Sequence, residues 1–279
     1  MQNNHHQPIL IVGAGNMGKS IAKGLLTKLW SPRVITLCDY QPSRHASLHS
    51  EFPGCNVISE PSDIESAPKV ILLAVKPKSM ASVCQSLAAH SQFDNCLFIT
   101  VAAGIPVRVY MRWLGAASSI VRCMPNTPAE IGAGMTGLFT TRDTTAEHRS
   151  LAENIMKTIG QTLWLQDESL LDSLTAVSGS GPAYLFYFME CLQNSAQALG
   201  LSKEDSYQLT LQTVLGAAQL AAHQNTAFEK LRENVTSKGG TTEQAITHLI
   251  ACHLDATIEQ AVRAAANRAH EISQSFDKE

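Results

Sequence analysis

Two patterns of apolar residues divide the chain. Through the first half, short runs rich in Ile and Val alternate with stretches of helical spacing. The runs are "PILIV" (8–12), "RVITLCD" (33–39), "NVIS", "KVILLAV" (69–75) and "CLFITVAAG" (96–104). Between them, "KSIAKGLLTKLW", "SRHASLHSEF" and "KSMASVCQSLAAH" carry helical periodicity. Apolar strands separated by helices predict βαβ units and a parallel sheet covered on both faces. Beyond these, "PVRVYMRWLG" reads as helix, "SIVRCMPN" as a strand running into a loop and "GMTGLFTT" as a further strand. A last helix, "AEHRSLAENIMKTIG", leads into "QTLWLQ".

From "DESLLDSLTAVSGSG" onward the pattern predicts helix after helix and no strand. Residues 183–199 are apolar nearly all round, with Tyr184, Leu185, Phe186, Tyr187, Phe188, Met189 and Leu192. Such a helix needs cover on every side and gains from burial against a second subunit. Ser202 with Asp205 predicts a capping box, and the final helix is expected to start at 241–243. The expected fold class is α/β: a doubly wound parallel sheet over 1–165, followed by an all-helical domain over 166–279.

Composition excludes several classes of function. Apolar residues make up 44% and charged residues 16% of 279, an ordinary globular balance. A formal net charge of −3 argues against a nucleic-acid partner. Seven scattered cysteines without a Cys-x-x-Cys pair read as reduced thiols, and ten histidines lack metal-ligand spacing, so no metal is expected. His5-His6 reads as part of an unstructured tail. No apolar run is long enough to span a bilayer and no basic segment opens into one. A soluble, cytoplasmic protein is the expectation.

Candidate chemistry lies at the strand ends. "GAGNMG" (Gly13, Ala14, Gly15, Asn16, Met17, Gly18) follows a strand and opens a helix. Gly13 permits the tight turn, Gly15 the approach of a pyrophosphate, and Gly18 close helix–strand packing. A glycine-rich turn without ligand is the alternative. Asp39, ending the second strand, suits an adenosine ribose and favours NADH, whereas Ser43 and Arg44 suit the 2′-phosphate of NADPH. "AVKP" (Ala74, Val75, Lys76, Pro77) and "VAAG" (with Ala102, Ala103, Gly104) close strands at the carboxyl edge, where small residues let a cofactor lie against backbone. "CMPNTPAEIGAGMT" presents Asn126 and Thr127 on a proline-stiffened loop, or is a tight surface turn. A second glycine turn, "ENVTSKGGTTEQA" (233–245), feeds a helix and makes a socket for a small anion. Its alternative is a helix cap by Thr241 or Thr242.

Taken in order, "GAGNMG", "AVKP", "AAG", "MPNTP", "GAGMT", "SGSGPAY" (178–184) and "TSKGGTT" resemble the pyrroline-5-carboxylate reductase family over almost the whole chain. The resemblance implies a Rossmann domain followed by a helical dimerisation domain, with homodimers often arranged in rings up to a decamer. It also implies reduction of a cyclic imine carboxylate with NADPH or NADH. In the family, the second glycine turn binds the substrate carboxylate. Those positions are Ser237, Gly239, Gly240, Thr241 and Thr242, and Thr242 meets the ring nitrogen. Asn234 matches a position touching the nicotinamide, and Glu168 an acid near the substrate. This chain departs from the family pattern at Lys238, where a proline is usual, and at "SEPSD" (59–63), where Pro61 stands near a usual asparagine.

Other readings are weighed on the same residues. No Lys, Arg or His occurs between Lys157 and Lys203, which speaks against a hydroxy-acid dehydrogenase needing a lysine there. Imine reduction is less demanding, because the nitrogen is basic enough to carry its own proton. A reductase of the six-membered piperideine carboxylate and a non-catalytic NAD(P)-binding regulatory protein are the alternatives.

Overall fold

The computed structural model describes residues 7–276, so His5-His6 lies outside them. Its strands are β1 (Ile9–Val12), β2 (Ile35–Cys38), β3 (Asn56–Ile58), β4 (Val70–Leu73), β5 (Leu97–Thr100), β6 (Ser119–Met124), β7 (Gly134–Thr140) and β8 (Gly160–Trp164). They form one sheet in the order β3-β2-β1-β4-β5-β6-β7-β8. Every residue of β1, β2, β4 and β5 is buried, which is why these segments read as unbroken apolar runs.

Alternate residues of each strand serve opposite faces. Ile9 and Ile11 pack with Ile21 and Leu25 of helix α1 (Asn16–Thr27), with Leu48 of α2 (His45–Glu51) and with Ile155 of α5 (Ala146–Met156). Leu10 and Val12 pack on the other side with Met80 and Cys84 of α3 (Pro77–Ala88) and with Tyr110 of α4 (Val107–Leu114). The sheet is parallel except at one place: β6 and β7 run antiparallel. The expected doubly wound parallel sheet thus carries one antiparallel pairing. The nine residues 125–133 are too short for a crossover, so the chain turns back instead. The stretch "QTLWLQ", to which the pattern gives no element, is the edge strand β8, parallel to β7.

The chain resolves into two compact units. The first is residues 1–180 with 265–279, and the second is Gly181–Ala264, whereas the sequence drew the division between 165 and 166. The short helix α6 (Leu170–Leu174) closes the first part of unit one. The second unit holds α7 (Gly181–Ala198), α8 (Lys203–Gln224), α9 (Phe228–Asn234), α10 (Thr241–Ala251) and the start of α11 (Leu254–Ser275). Ser202 caps α8, its hydroxyl accepting the Asp205 N–H at 3.0 Å, but the expected box is only half formed, since the Asp205 carboxylate accepts from the Ser202 hydroxyl at 2.8 Å. The single final helix expected from 241–243 is two, α10 and α11, because His253 takes a left-handed φ of 53°. No residue of α7 is buried within the chain, and Phe186 and Tyr187 are 65% and 68% exposed. Among the described residues, no helix is long and apolar enough to cross a membrane.

Candidate active site

Strand order reverses between β1 and β4, the place in such sheets where ligands bind outside the carboxyl ends. Backbone bonds gather the predicted segments there. Gly13 N–H donates to the Cys38 carbonyl at 2.9 Å, Ala74 N–H to Val12 at 2.8 Å, and Val101 N–H to Leu73 at 3.1 Å. "GAGNMG", Asp39, "AVKP" and "VAAG" therefore form one continuous edge.

The glycines of the first turn fit a dinucleotide. Gly13 has φ +101°, and a Cβ there would stand 2.8 Å from the Ala74 carbonyl. A Cβ on Gly18 would overlap the Gly13 carbonyl oxygen. A Cβ on Gly15 would meet nothing within 4 Å. Thus two glycines are demanded by packing, while the middle one borders open space at the start of α1, where Asn16 is the first helical residue. Helix dipole and free N–H groups there favour phosphate. Ala14 is buried, Met17 half-buried against the core, and Lys76, exposed, is the N-cap of α3 ahead of Pro77.

Asp39 and Arg44 stand in one cluster. Asp39, only 3% exposed, accepts the Gln41 N–H at 3.0 Å and Arg44 Nη1 at 2.7 Å. Arg44 Nη2 also donates to the Ala14 carbonyl at 2.6 Å, tying the end of β2 to the glycine turn. The acid and the base that seemed to argue for different cofactors thus neutralise each other.

Three predicted residues carry structural duties visible only in three dimensions. Asn126 Oδ1 accepts Met135 N–H at 2.8 Å, and its Nδ2 donates to Ser178 at the carbonyl (3.1 Å) and Oγ (3.2 Å). Its amide clamps the loop after β6 to a π-turn over Thr175–Gly179, where Ser180 N–H reaches the Thr175 carbonyl at 2.8 Å. Glu168 Oε1 accepts Arg122 Nη1 at 2.9 Å and Val107 N–H at 2.7 Å. It therefore balances a guanidinium that is 5% exposed and caps α4. Gly104, at φ +84°, is buried under Ile272, whose Cγ2 a Cβ would overlap. That leaves buried Ala102 and exposed Ala103 along the edge. Just ahead of them, the Tyr110 hydroxyl meets that of Thr100, and burial pushes the phenol well above its ordinary range. Ser178 opens the "SGSGPAY" motif, but its bond to Asn126, the buried Arg122 and the π-turn have no local mark in the sequence.

The second glycine turn lies in the second unit. Gly239 has φ +75°, and Gly240 N–H donates to the Ser237 carbonyl at 3.0 Å. The N-cap of α10 is Gly240, which has no side chain to offer, so the alternative that Thr241 or Thr242 caps this helix is overturned. Both are instead its first two helical residues. Asn234 ends α9, and the exposed Ser237 and Lys238 lie on the linking turn. Glu243, which the sequence reading passed over, lends Oε2 to the Gly239 N–H at 2.7 Å.

Comparison with known proteins agrees with this geometry. Residues 168–272 match the model described as pyrroline-5-carboxylate reductase dimerisation, and residues 8–104 match that described as NADP oxidoreductase coenzyme F420-dependent. The chain is 39% identical over 268 residues to the pyrroline-5-carboxylate reductase of Pseudomonas aeruginosa, covering 96% of this chain and 97% of that protein. It is 38% identical to that of Haemophilus influenzae, covering 97% and 99%. The structure of a pyrroline-5-carboxylate reductase from Coxiella burnetii superposes with a TM-score of 0.90 at 39% identity, covering 96% and 98%. The Plasmodium falciparum pyrroline carboxylate reductase with NADP bound shares the fold, with a TM-score of 0.84 at 24% identity and coverage of 98% and 99%. The chain belongs to the pyrroline-5-carboxylate reductase family.

Proposed function

We propose that the chain reduces L-1-pyrroline-5-carboxylate to L-proline with NAD(P)H, the last step of proline synthesis. The observation that carries this reading is the second glycine turn. A helix whose N-cap is glycine leaves its first-turn N–H groups without a side-chain cap of that residue, and they suit a carboxylate. Gly239 and Thr241 serve through their N–H groups, Gly240, whose own N–H is held by the Ser237 carbonyl, by leaving the turn bare of a side chain, and Thr242 through its hydroxyl. The family habit assigns them together with Ser237.

Gly15 and the start of α1 hold the pyrophosphate on a turn that Gly13, Ala14 and Gly18 shape by packing, and the "AVKP" and "VAAG" ends leave room for the rest of the cofactor. When bound, the nicotinamide supplies a hydride to the imine carbon. The chain's own part is to fix the ring by its carboxylate and to steady the nitrogen. A protonated imine N–H donates to Thr242 Oγ1, so no separate general acid is required. Loss of one well-placed polar contact costs about 10²–10³ in turnover. Thr242→Ala should therefore lower kcat by that order and change KM less, while Thr242→Ser retains much of the activity. Turnover of Thr242→Ala within a few-fold of the parent would remove this role.

Finer assignments follow from the same residues. Arg44 neutralises Asp39, so a 2′-phosphate is not repelled and both NADPH and NADH serve. Arg44→Ala should raise KM for NADPH more than for NADH. The exposed apolar face of α7 and its cover by a second copy give a homodimer, and rings of dimers extend it. Light scattering showing a stable monomer at micromolar concentration would contradict that. Seven unpaired cysteines suit a reducing cytoplasm.

A further inference from the structure

Resting on the reading that this turn holds the substrate carboxylate, we propose that Glu243 occupies that socket between turnovers and must be displaced by the substrate. The side chain is already where an incoming carboxylate has to go. Glu243 Oε2 accepts the Gly239 N–H at 2.7 Å, across a turn that Gly239 reaches only by taking φ +75°. In an ordinary capping box, the acid at this helical position reaches back to the N–H of the N-cap residue itself. Here it reaches one residue further, past Gly240, onto the turn. A neutral hydroxyl there would only cap. A carboxylate presents the same two oxygens, charge and hydrogen-bond geometry as the ligand.

Two carboxylates on one N–H repel each other, so binding requires Glu243 to swing out. Glu243 is half-buried rather than locked in a core, and no ion pair of its own holds it on the turn among the bonds described. Lys238, exposed beside Gly239, supplies a positive charge to the same turn. The arrangement makes the loop preformed when empty and lowers its affinity for any carboxylate, product included. The residue is thus a positioning and affinity-setting group, and it takes no part in the hydride step.

The test compares the full-length enzyme with Glu243→Gln and Glu243→Ala. Gln keeps the shape and the acceptor but not the charge. A charge-assisted bond exceeds a neutral one by about 1 kcal/mol at a partly exposed site, which corresponds to roughly 5-fold in affinity. Both variants should lower KM for pyrroline-5-carboxylate, and the inhibition constant for L-proline, by about that factor. If Glu243 only stiffens the turn, Glu243→Ala raises KM, and that result overturns the proposal, as do unchanged constants in Glu243→Gln. A similar gain with 1-pyrroline, which has no carboxylate, would also overturn it. Thr241→Pro separates the proposal from the reading beneath it. Proline fits the first helical position and deletes one N–H of the socket. If Thr241→Pro leaves KM for the imine acid unchanged, the carboxylate binds elsewhere and the reading fails. If Thr241→Pro raises KM while Glu243→Gln does nothing, only the placeholder role fails.

Discussion

Glu168 offers the clearest separation between a substrate group and a structural one. Family resemblance puts an acid here near the substrate, yet its Oε1 is shared between Arg122 Nη1 at 2.9 Å and Val107 N–H at 2.7 Å. Arg122 lies on β6, with its side chain 6% exposed, while that of Glu168 is 22% exposed. Truncating one partner of a buried pair costs about 3–5 kcal/mol, since the other charge is left without compensation. A cleft of about 390 Å3 borders both residues and admits water, which lowers the expectation to roughly 2–4 kcal/mol. For a unit of this size each kcal/mol moves Tm by about 2–4 °C, so Glu168→Ala should melt roughly 4–16 °C below the parent. Scanning calorimetry at fixed protein concentration measures this, because an oligomer's Tm depends on concentration. Replacing both residues, as Glu168→Ala with Arg122→Met, should cost less than the sum of the two changes. KM should move little in the folded protein. An unshifted Tm together with a large rise in KM would refute the structural account and return Glu168 to the substrate.

Three further outcomes are expected. Asn126→Ala should cost about 1–3 kcal/mol in urea unfolding, since Met135 N–H and the Ser178 carbonyl lose their partner. Asn126→Asp should fare no better, because it sets a carboxylate against that carbonyl. Gly18→Ala drives a methyl into the Gly13 carbonyl oxygen, so fluorescence titration should show NADPH affinity falling at least about 10-fold, with roughly 1–3 kcal/mol of stability lost. Burial raises Cys55 and Cys96 from 9.0 to about 11 and Cys38 and Cys84 to about 12. A raised folded pKa means stability is fully present below pH 9.0 and is lost as pH climbs toward the folded values. Unfolding midpoints should therefore drop above pH 9.0, and at most the two exposed thiols, Cys191 and Cys252, should react with a thiol reagent at pH 8.

Most of the fold was legible because burial on both faces writes itself as unbroken Ile and Val, as in β1 and β4. The apolar α7 announced its need for cover in the same way. What stayed hidden depends on partners far apart in the chain. That Asn126 clamps Ser178, fifty-two residues on, has no local signature. Neither has the pairing of Asp39 with Arg44, which turned two opposed cofactor arguments into one neutral cluster. The antiparallel turn between β6 and β7 could have been read from loop length alone. The second glycine turn was legible in the sequence, but the bond from its Gly239 N–H to Glu243 was not, since an acid three residues into a helix reads as ordinary capping.

The most direct test of the assignment follows the oxidation of NADPH and NADH by the purified protein, with five- and six-membered cyclic imine carboxylates offered in turn. The account predicts rapid oxidation with pyrroline-5-carboxylate, L-proline as product, and a higher kcat/KM than with the six-membered ring. Tight cofactor binding with no oxidation by either imine would contradict it.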